Sequence, residues 1–536
     1  MRRRRKEVPN TAQGELGMRI PESPRQGGLL GKDPRFTDDS PWHLFVGGVR
    51  LDEYLKSRGM GWVVRLRSEL EAVDFGALTA NYQRTGRNPF HPRTLLGLIV
   101  YGILNGQQSL RALESLAARD VGAWWICGGH QPDHSTIGDF IERHREVLSE
   151  EFVRGLVRGL IKRKRLRPGV VAGDATVVEA AASHYEKLSE EAAQVAAQRA
   201  QQKAEESPQD ETLRRQAERA QRAAEAVAER RQRREQQGKS TQSVVVSGRE
   251  PEAVLQPRKD GAMRFAYKPA TLVHESGLIV GQAVHPSSET AVVDELMEQH
   301  RDAFGSWPKT ALLDAGYCTP AVLAEMVERD VNVLCPSGRT NQGEDWEKKG
   351  NKGLFGKARF AYDEERNVYR CPAGAELRQS EQSCDAAGRP YRAYTTNACS
   401  GCELRTRCTT SRHGRKIKRY EGEEFKEAMA RVLRQPAARR EYQRRAPIAE
   451  RPFAEFRERH GLRRFHRCGL LGAAVEFALH VIAFDLKWAI GYPAGSPDSL
   501  QGALILLWTR SASPGSPWRL IAVGANIFPQ LFPASP

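Results

Sequence analysis

Apolar residues recur at helical spacing through the region from residue 46 to residue 150. In HPRTLLGLIVYGILNG they fall on one helix face, with Leu95 and Ile99 among them. In PDHSTIGDFIERHREVL, Ser135 stands where an N-cap belongs and apolar positions follow at the same spacing from Ile137 onward. This pattern predicts a compact helical domain.

Beyond this region the pattern changes to strands that alternate with helices. The apolar run VVAGDATVVEA predicts a first strand, and RFAYKPATLVHE followed by SGLIVGQAVHP predicts a hairpin. The runs KTALLDAGY and VNVLCPS predict two further strands, each preceded by a helical segment. Such alternation indicates an α/β layer with at least some parallel pairing.

Two segments interrupt this alternation. Residues 186–240 consist mostly of Ala, Glu, Gln and Arg, are broken by Pro208, and predict an extended helical hairpin too poor in large apolar residues to bury its own core. Residues 338–424 contain five of the nine cysteines. The predicted domains are a disordered basic arm at 1–45, a helical domain at 46–150, an α/β core at 165–337 and 425–490, the helical hairpin at 186–240, a Cys-rich insertion at 338–424 and an irregular tail at 491–536.

The charge balance favours a polyanionic partner. The 536 residues include 82 Lys and Arg against 66 Asp and Glu, a net charge of +16, and residues 411–468 alone hold 18 basic and 8 acidic residues. A membrane partner is not expected, because the basic start MRRRRK leads into polar residues and the most apolar stretch, from Gly469, carries Glu476, Asp485 and Lys487. That stretch predicts a buried helix in a cytoplasmic protein.

Two aspartates occupy positions that favour metal chemistry. Asp174 lies within an apolar strand, and Asp314 ends another. A carboxylate in a buried strand is costly to desolvate unless a cation compensates, and a divalent metal is the usual compensation.

A third carboxylate would complete such a metal site. The segment YQRRAPIAERPFAEFRERHG offers Glu450, Glu455 and Glu458. Pro452 suits the first turn of a helix, which would place Glu450 at the positive N-terminal end of that helix. On these physical grounds the choice among the three glutamates stays open.

Three motifs in order carry a resemblance to a known family. The runs AGDATVVEA and LLDAGY are followed by the pattern Y-x-x-R-x4-E-x-P-F-x3-R, which is formed by Tyr442, Arg445, Glu450, Pro452, Phe453 and Arg457. Together they resemble the DDE transposases of bacterial insertion sequences, in the insertion-sequence-four clan, and the group numbered eleven eighty-two in particular. The helical N-terminal stretch is also similar to that group, so the resemblance spans about residues 45 to 490.

The resemblance implies a fold and a catalytic site. The fold is an α/β class with a ribonuclease-H-like mixed-sheet core, in which Asp174 lies on the first strand, Asp314 on the fourth and Glu450 on a late helix. These three residues would be catalytic and would bind Mg²⁺ or Mn²⁺. Tyr442, Arg445 and Arg457 match the family's Tyr-Arg-Glu-Lys signature and would contact DNA phosphates.

The resemblance also implies an activity and its partners. A transposase binds the ends of its insertion sequence, cleaves the strands with Mg²⁺ and transfers the 3′ ends to target DNA. The expected partners are double-stranded DNA and a second copy of the chain, at the bacterial nucleoid. The helical domain is expected to bind DNA, with the Ser135 helix as half of a helix-turn-helix, although helix packing alone explains its pattern equally well.

Two departures from the family pattern leave a second hypothesis open. Arg457 stands where relatives commonly have Lys, and His274 stands where relatives often have Asp after the second strand. The alternative is a zinc-stabilised DNA-binding protein, derived from a transposase, whose catalytic site has decayed.

The cysteines of the insertion have metal-ligand spacing. Cys399, Cys402 and Cys408 form C-x2-C-x5-C, and Cys371 follows a strand-like run in YRCPAG. A C-x2-C pair lets two thiolates bind one tetrahedral Zn²⁺, and a second pair closes the site. The pattern predicts a zinc-ribbon-like insertion with Cys384 as an alternative to Cys371 or Cys408, and the competing interpretation is reduced cysteines without metal.

Overall fold

The protein has a mixed α/β architecture in which helices flank a mixed sheet. The computed structural model describes residues 33–80, 82–83, 88–183, 185–236, 238, 240–258, 261–336, 353–385, 388–491, 505–509 and 519–523.

Within the described residues, nine helices lead from the N-terminal region to the sheet. They are α1 Leu51–Ser57, α2 Gly61–Glu71, α3 Gly76–Thr79, α4 Pro92–Leu104, α5 Leu110–Arg119, α6 Val121–Cys127, α7 His134–Arg143, α8 Arg145–Ser149 and α9 Glu151–Lys164. The predicted N-cap at Ser135 is wrong. Helix α7 begins two residues earlier, at His134, because the carboxylate of Asp133 accepts the Thr136 N–H at 2.7 Å and caps the helix instead.

The arm predicted at 1–45 is shorter than expected. Residues 1–32 lie outside the described residues, but Phe36 and Asp39 are buried against the helices. Asp39 pairs with Arg93 at 2.6 Å and with Arg67 at 3.2 Å. The prediction of disorder is therefore wrong for residues 33–45, which end in the small hairpin of β1 Phe45–Val46 and β2 Val49–Arg50.

A seven-stranded mixed sheet forms the centre of the molecule. The strands described in this part of the chain are β3 Val170–Ala175, β4 Val178–Glu179, β5 Lys187–Leu188, β6 Val246–Ser247, β7 Val254–Pro257, β8 Met263–His274, β9 Ile279–His285, β10 Thr310–Leu312 and β11 Asn332–Leu334. The order across the principal strands is β11-β10-β3-β8-β9, in which β10 and β11 run parallel to β3 while β8 runs antiparallel to its neighbours. β4 and β7 pair with the first half of β8. Helices α12 Val293–Phe304 and α13 Pro320–Glu328 connect the later strands.

The last long helix joins the N-terminal helices to the sheet. Helix α18, Gly469–Ala489, packs against α4 and α8 on one side and against β9 on another. One hydrophobic core therefore runs from Leu51 to Ile490, so the two predicted domains share their interior. Of the described helices, α18 alone is long and apolar enough to cross a membrane, but 72% of its most apolar window is buried in the fold, as in a core helix.

A buried carboxyl group in α18 gives a stability prediction. Asp485 is fully buried, accepts the Ile279 N–H at 3.0 Å, and burial raises its pKa well above the ordinary value. Protonated Asp485 therefore contributes its full share of the folding stability at low pH. This contribution is lost as the pH rises above the pKa of Asp485 in the unfolded chain. We expect Asp485→Asn to raise stability by about 1–3 kcal/mol near pH 8, with the gain disappearing near pH 4.

Thermal unfolding across this pH range measures the effect. The exposed Asp302, which pairs with Arg158 on the surface, provides the control variant Asp302→Asn, for which less than about 1 kcal/mol is expected at any pH. A gain that is independent of pH would contradict the explanation by ionisation.

Two helices occupy the predicted hairpin segment. α10 Glu190–Glu206 and α11 Glu211–Gln236 pack against each other, with Pro208 in the turn between them. The β5–β6 pair lies at their base. Contrary to the prediction, this unit has a small core of its own, built from Ala193, Ala223, Val227 and Val246, because small alanine side chains let the helices approach closely.

The Cys-rich insertion forms a separate antiparallel sheet. Its strands, in spatial and chain order, are β12 Ala361–Asp363, β13 Val368–Arg370, β14 Glu376–Cys384, β15 Pro390–Thr395 and β16 Ile417–Tyr420, with the short helix α14 Arg405–Cys408 between the last two. Helices α15 Glu423–Val432, α16 Pro436–Gln443 and α17 Arg445–Glu458 then lead to α18. The tail predicted to be irregular contains two antiparallel strands, β17 Ile505–Thr509 and β18 Arg519–Val523.

Candidate active site

Two aspartates meet at one edge of the central sheet. β3 and β10 are parallel neighbours in which Ala172 pairs with Leu312. Asp174 and Asp314 each follow those partners by two residues, so the register places both at the carboxyl edge of the sheet, where α/β proteins commonly build their sites. Asp314 also accepts the Gly316 N–H at 2.8 Å and so caps the short turn that follows β10.

An arginine links this edge to helix α17. Arg445 Nη2 lies 3.1 Å from Asp174 Oδ1, and Arg445 Nη1 lies 3.8 Å from Glu450 Oε1. The Arg445 side chain is only 11% exposed, whereas that of Glu450 is 63% exposed. The buried Nε of Arg445 has no hydrogen-bond partner within the described part of the chain. The guanidinium therefore lies between the strand carboxylate and the helix carboxylate.

The expected helix position of Glu450 is wrong. α17 begins at Arg445 and contains Pro452 in its interior, so Glu450 lies in the second turn instead of at the N-terminal end. A proline inside a helix removes one backbone hydrogen bond, a cost that burial of Pro452 and Phe453 against the core helps to offset. Glu450 consequently gains little from the helix dipole, which acts mainly at the first turn.

The two other candidate glutamates have different partners. Glu455 is buried and its Oε1 lies 2.5 Å from Lys487 Nζ. Glu458 pairs with Arg463 at 3.2 Å in an exposed location. Among the three, Glu450 is the residue whose ion pair leads to Asp174.

The electrostatics of Asp174 reflect this arrangement. Burial raises the pKa of Asp174 to about 6, and the nearby carboxylates Asp314 and Glu450 add to the rise. The Arg445 guanidinium and the Ala175 N–H counteract only part of it. The site therefore holds more negative charge than its one arginine balances, which is the condition under which a further cation binds.

The remaining family-pattern residues lie close to these acids. Tyr442 is partly buried at the end of α16, and burial raises its pKa to about 12, with Asp314 and Asp174 contributing. Arg457 donates from Nη2 to Thr176 Oγ1 at 3.0 Å, just beyond the end of β3. Both residues thus border the same edge of the sheet.

His274 lies away from this edge. It pairs with Val171, whereas Thr271 is the β8 residue opposite Asp174. The buried His274 ring contacts Ser276 Oγ at 2.8 Å and the Arg167 carbonyl at 3.1 Å. Its difference from the family pattern therefore concerns the packing at the opposite end of β3.

The sequence did not predict that Glu289 and Tyr317 lie beside Asp314. A side chain on Gly316 would collide with the Glu289 carboxylate, which pairs with Lys268. Tyr317 is buried, and its hydroxyl has no hydrogen-bond partner among the residues described. The position of Tyr317 directly after LLDAG was a usable signal, but nothing in the sequence around Glu289 or Lys268 connects them to Asp314.

The donor set suits a hard divalent cation, since Asp174, Asp314 and Glu450 supply only carboxylate oxygens. As the side chains stand, the described residues contain no group of three or more His, Cys, Asp or Glu positioned to hold a metal ion. Glu450 is the most exposed of the three acids.

Comparisons with known proteins add independent information. The family model described as a transposase DDE domain matches residues 370–489, and the model described as transposase domain DUF772 matches residues 62–143. The two matches support a transposase family. No curated protein matches the chain.

The matches agree with the architecture in general terms. They cover the helical N-terminal region and the segment from β13 to α18, which includes Glu450 but begins after Asp174 and Asp314. The mixed α/β fold is consistent with a transposase DDE domain, and such a domain implies a DNA-binding enzyme of the nuclease and transposase class.

Proposed function

We propose that the protein is a DDE transposase of a bacterial insertion sequence, related to the insertion-sequence-four clan and to the group numbered eleven eighty-two. It would bind the ends of its element, cleave the DNA strands and transfer the 3′ ends to a target. The observation that carries the proposal is the meeting of Asp174, Asp314 and the Arg445–Glu450 pair at one sheet edge.

The strand order supports a ribonuclease-H-like core. Three antiparallel strands, β3, β8 and β9, are joined through β3 to the parallel strands β10 and β11. When β3, β8, β9, β10 and β11 are counted in chain order, Asp174 lies on the first strand and Asp314 lies just after the fourth. These are the positions that the family resemblance implies.

In the proposed mechanism Asp174, Asp314 and Glu450 would hold two Mg²⁺ or Mn²⁺ ions. When bound there, the ions would supply activation of a water or a 3′-hydroxyl and stabilisation of the leaving oxygen in an in-line displacement. The chain itself supplies rigidity, because two of the acids sit at strand ends within the sheet. Arg445 balances part of their charge and holds Glu450 near Asp174.

Basic residues beside the site favour DNA as the substrate. Part of the positive charge of residues 411–468 is used internally, since Arg415 and Arg464 donate to backbone carbonyls. Five arginines on α15, α16 and α17 and in the α15–α16 turn are exposed among the described residues: Arg431, Arg434, Arg439, Arg440 and Arg451. With Tyr442, Arg445 and Arg457 they would contact phosphates of a DNA end, and such contacts weaken steeply with salt.

The other partners follow from the same proposal. The N-terminal helical domain would contribute to the recognition of the terminal inverted repeats. Joining two ends of one element requires at least two active sites, so a homodimer on DNA is proposed, acting on chromosomal DNA in the bacterial cytoplasm.

The alternative of a decayed, zinc-stabilised DNA-binding protein loses part of its support. His274 lies at the end of β3 remote from Asp174, and Arg457 still borders the site through Thr176. Neither departure removes one of the three carboxylates.

Cleavage of DNA that carries the ends of the element tests the proposal. The full chain is incubated with a duplex bearing the sequences that flank its reading frame, with Mg²⁺, with Mn²⁺ or with a chelator, and strand breaks are mapped. We expect metal-dependent breaks at the element boundary and none in a scrambled duplex of equal length. Binding to the ends without metal-dependent cleavage would overturn the enzymatic proposal in favour of the decayed protein.

The pairing of Arg445 with Asp174 gives a prediction for metal affinity. Removing a cation that lies 3.1 Å from Asp174 and 3.8 Å from Glu450 makes the site more negative, so we expect Arg445→Gln to bind Mn²⁺ about tenfold more tightly and to bind DNA more weakly. Calorimetric titration of the protein with Mn²⁺ measures the change. The adjacent Arg444, which pairs with Glu275 and Glu441, provides the control Arg444→Gln. Equal Mn²⁺ affinity in both variants and the wild type would show that Arg445 does not compete with the metal.

A further inference from the structure

The Cys-rich sheet is a small unit with its own interior. We call residues 353–385 and 388–420 the Cys module. Its buried apolar cluster consists of six side chains and is separate from the main core. The cluster members are Phe355, Phe360, Tyr369, Leu377, Tyr394 and Ile417. Units of this size rarely hold together by apolar burial alone and usually need disulfides or a structural metal.

Four cysteines from separate parts of the module line one cavity. Cys371 lies between β13 and β14, Cys399 and Cys402 follow β15, and Cys408 ends α14. All four border a cavity of about 490 Å³ beside the apolar cluster. Every cysteine in the described part of the chain is a free thiol, so the module has no disulfide to close it there.

The backbone around these cysteines is tightly turned. Cys371 begins a turn in which its carbonyl accepts the Gly374 N–H at 2.9 Å, and Gly374 has a φ of 82°. On the other side, Gly414 has a φ of 86°, and an added Cβ would lie 2.9 Å from Cys399 Cβ. The next residue, Arg415, donates its backbone N–H to Cys399 Sγ at 3.5 Å. Backbone N–H groups directed at sulfur stabilise a thiolate and orient it as a ligand.

Positive charge also surrounds the cavity. Arg405 and Arg415 line it, and their guanidinium groups are fixed by hydrogen bonds to the Cys399 and Cys408 carbonyls at 3.4 and 3.1 Å. Four thiolates around one divalent cation carry a net charge of about −2, which two nearby arginines balance.

The fold also decides between the candidate ligands. Strand β14 is nine residues long, and its first residues adjoin the cavity. Cys384 lies at the other end of this strand and is exposed. It therefore does not replace Cys371 or Cys408. As the side chains stand, the described residues contain no group of three or more His, Cys, Asp or Glu positioned to hold a metal ion. Zinc binding therefore has to draw the four sulfur atoms together across the cavity.

We propose that Cys371, Cys399, Cys402 and Cys408 bind one structural Zn²⁺ ion that closes the Cys module. The ion is a tetrahedral, four-thiolate centre without an open position, so its contribution is to folding.

The module is connected to the helices that precede Glu450. Lys357 pairs with Glu423 at 2.5 Å, and Arg419 pairs with Glu427 at 2.6 Å, so two ion pairs join the module to α15. A well-ordered module therefore helps to hold α15, the first helix of the segment α15–α17, in place. Zinc loss is expected to loosen this segment as well as the module.

Metal content of the full chain tests the proposal directly. The protein is purified under reducing conditions without chelator from zinc-supplemented medium, and zinc is measured by elemental analysis. We expect about one zinc ion per chain in the wild type and almost none in Cys399→Ser/Cys402→Ser. Cys384→Ser and Cys468→Ser, which change two exposed cysteines, are the matched controls and should retain the zinc. Asp174→Asn should also retain it, which separates this site from the carboxylates.

Cobalt provides a second measurement that does not depend on the folding of a variant. Wild-type protein reconstituted with Co²⁺ should show the intense visible bands of a tetrahedral site and the ultraviolet charge-transfer bands of thiolate ligands. Zinc-free wild type, equal loss of zinc in Cys384→Ser, or a Co²⁺ spectrum without thiolate bands would each overturn the proposal. Because none of these readouts involves DNA, the zinc site can fail while the transposase proposal stands, and the reverse.

Discussion

Replacing Asp174 with asparagine is expected to abolish DNA cleavage and also to stabilise the folded protein above about pH 6. Cleavage should fall at least about a thousandfold, ~4 kcal/mol, because asparagine cannot supply the charge that a metal site needs. Stability should rise by up to ~3 kcal/mol, because burial raises the pKa of Asp174 from 3.8 to about 6 and makes its ionised form unfavourable in the absence of metal.

The pH dependence distinguishes this explanation from a change in packing. An acid whose pKa is raised on folding contributes least to stability above its folded-state pKa, so the gain in Asp174→Asn should grow between about pH 4 and pH 6 and then level off. Thermal unfolding without metal measures it, with Asp302→Asn as control. A variant that loses both cleavage and stability would show that Asp174 serves chiefly to hold the fold.

Replacing Lys487 with methionine is expected to cost about 3–5 kcal/mol of folding stability. Lys487 Nζ lies 2.5 Å from Glu455 Oε1, and His460 Nε2 lies 3.4 Å from the same oxygen. All three side chains are buried. Burial raises the pKa of Glu455, but the nearby His460 and Lys487 side chains outweigh burial and lower that pKa to about 2. Removing the lysine leaves a buried carboxylate with only a histidine whose own pKa burial lowers.

The double variant Glu455→Leu/Lys487→Met is the informative comparison. Apolar side chains of similar size should restore most of the lost stability, because no charge remains uncompensated. Chemical denaturation of the two variants and the wild type measures the difference. If Lys487→Met alone is as stable as the wild type, the buried Glu455 carboxylate does not depend on Lys487 for compensation.

The catalytic roles of Asp174 and Asp314 came from the family resemblance and stay predictions. The local pattern predicted the strands that carry them: Asp174 lies within one apolar run and Asp314 ends another, and the parallel pairing of β3 with β10 places both at one edge of the sheet. The ion pair between Arg445 and Asp174 did not follow, because it depends on how a helix docks about 270 residues further along the chain. Long-range docking of this kind leaves no periodic signal in either segment.

Other errors have equally specific causes. Pro452 was taken as a helix start, yet Arg445–Glu458 is one helix because tertiary packing outweighs one lost hydrogen bond. The boundary of the arm was misplaced because Phe36 and Asp39 are buried individually, in a sequence whose apolar residues show no periodicity. Four alanine and valine side chains formed a core where only larger residues were expected to do so.

The shared interior built around α18 has a consequence for biosynthesis. Strand β3 leaves the ribosome about 300 residues before α18 does, which at the usual rates of translation is ~15–60 s earlier. During that interval the N-terminal helices and the sheet lack the element that both pack against. The N-terminal helices and the central sheet of a nascent chain should therefore remain sensitive to proteases until residue 489 has emerged, and then become resistant in a single step.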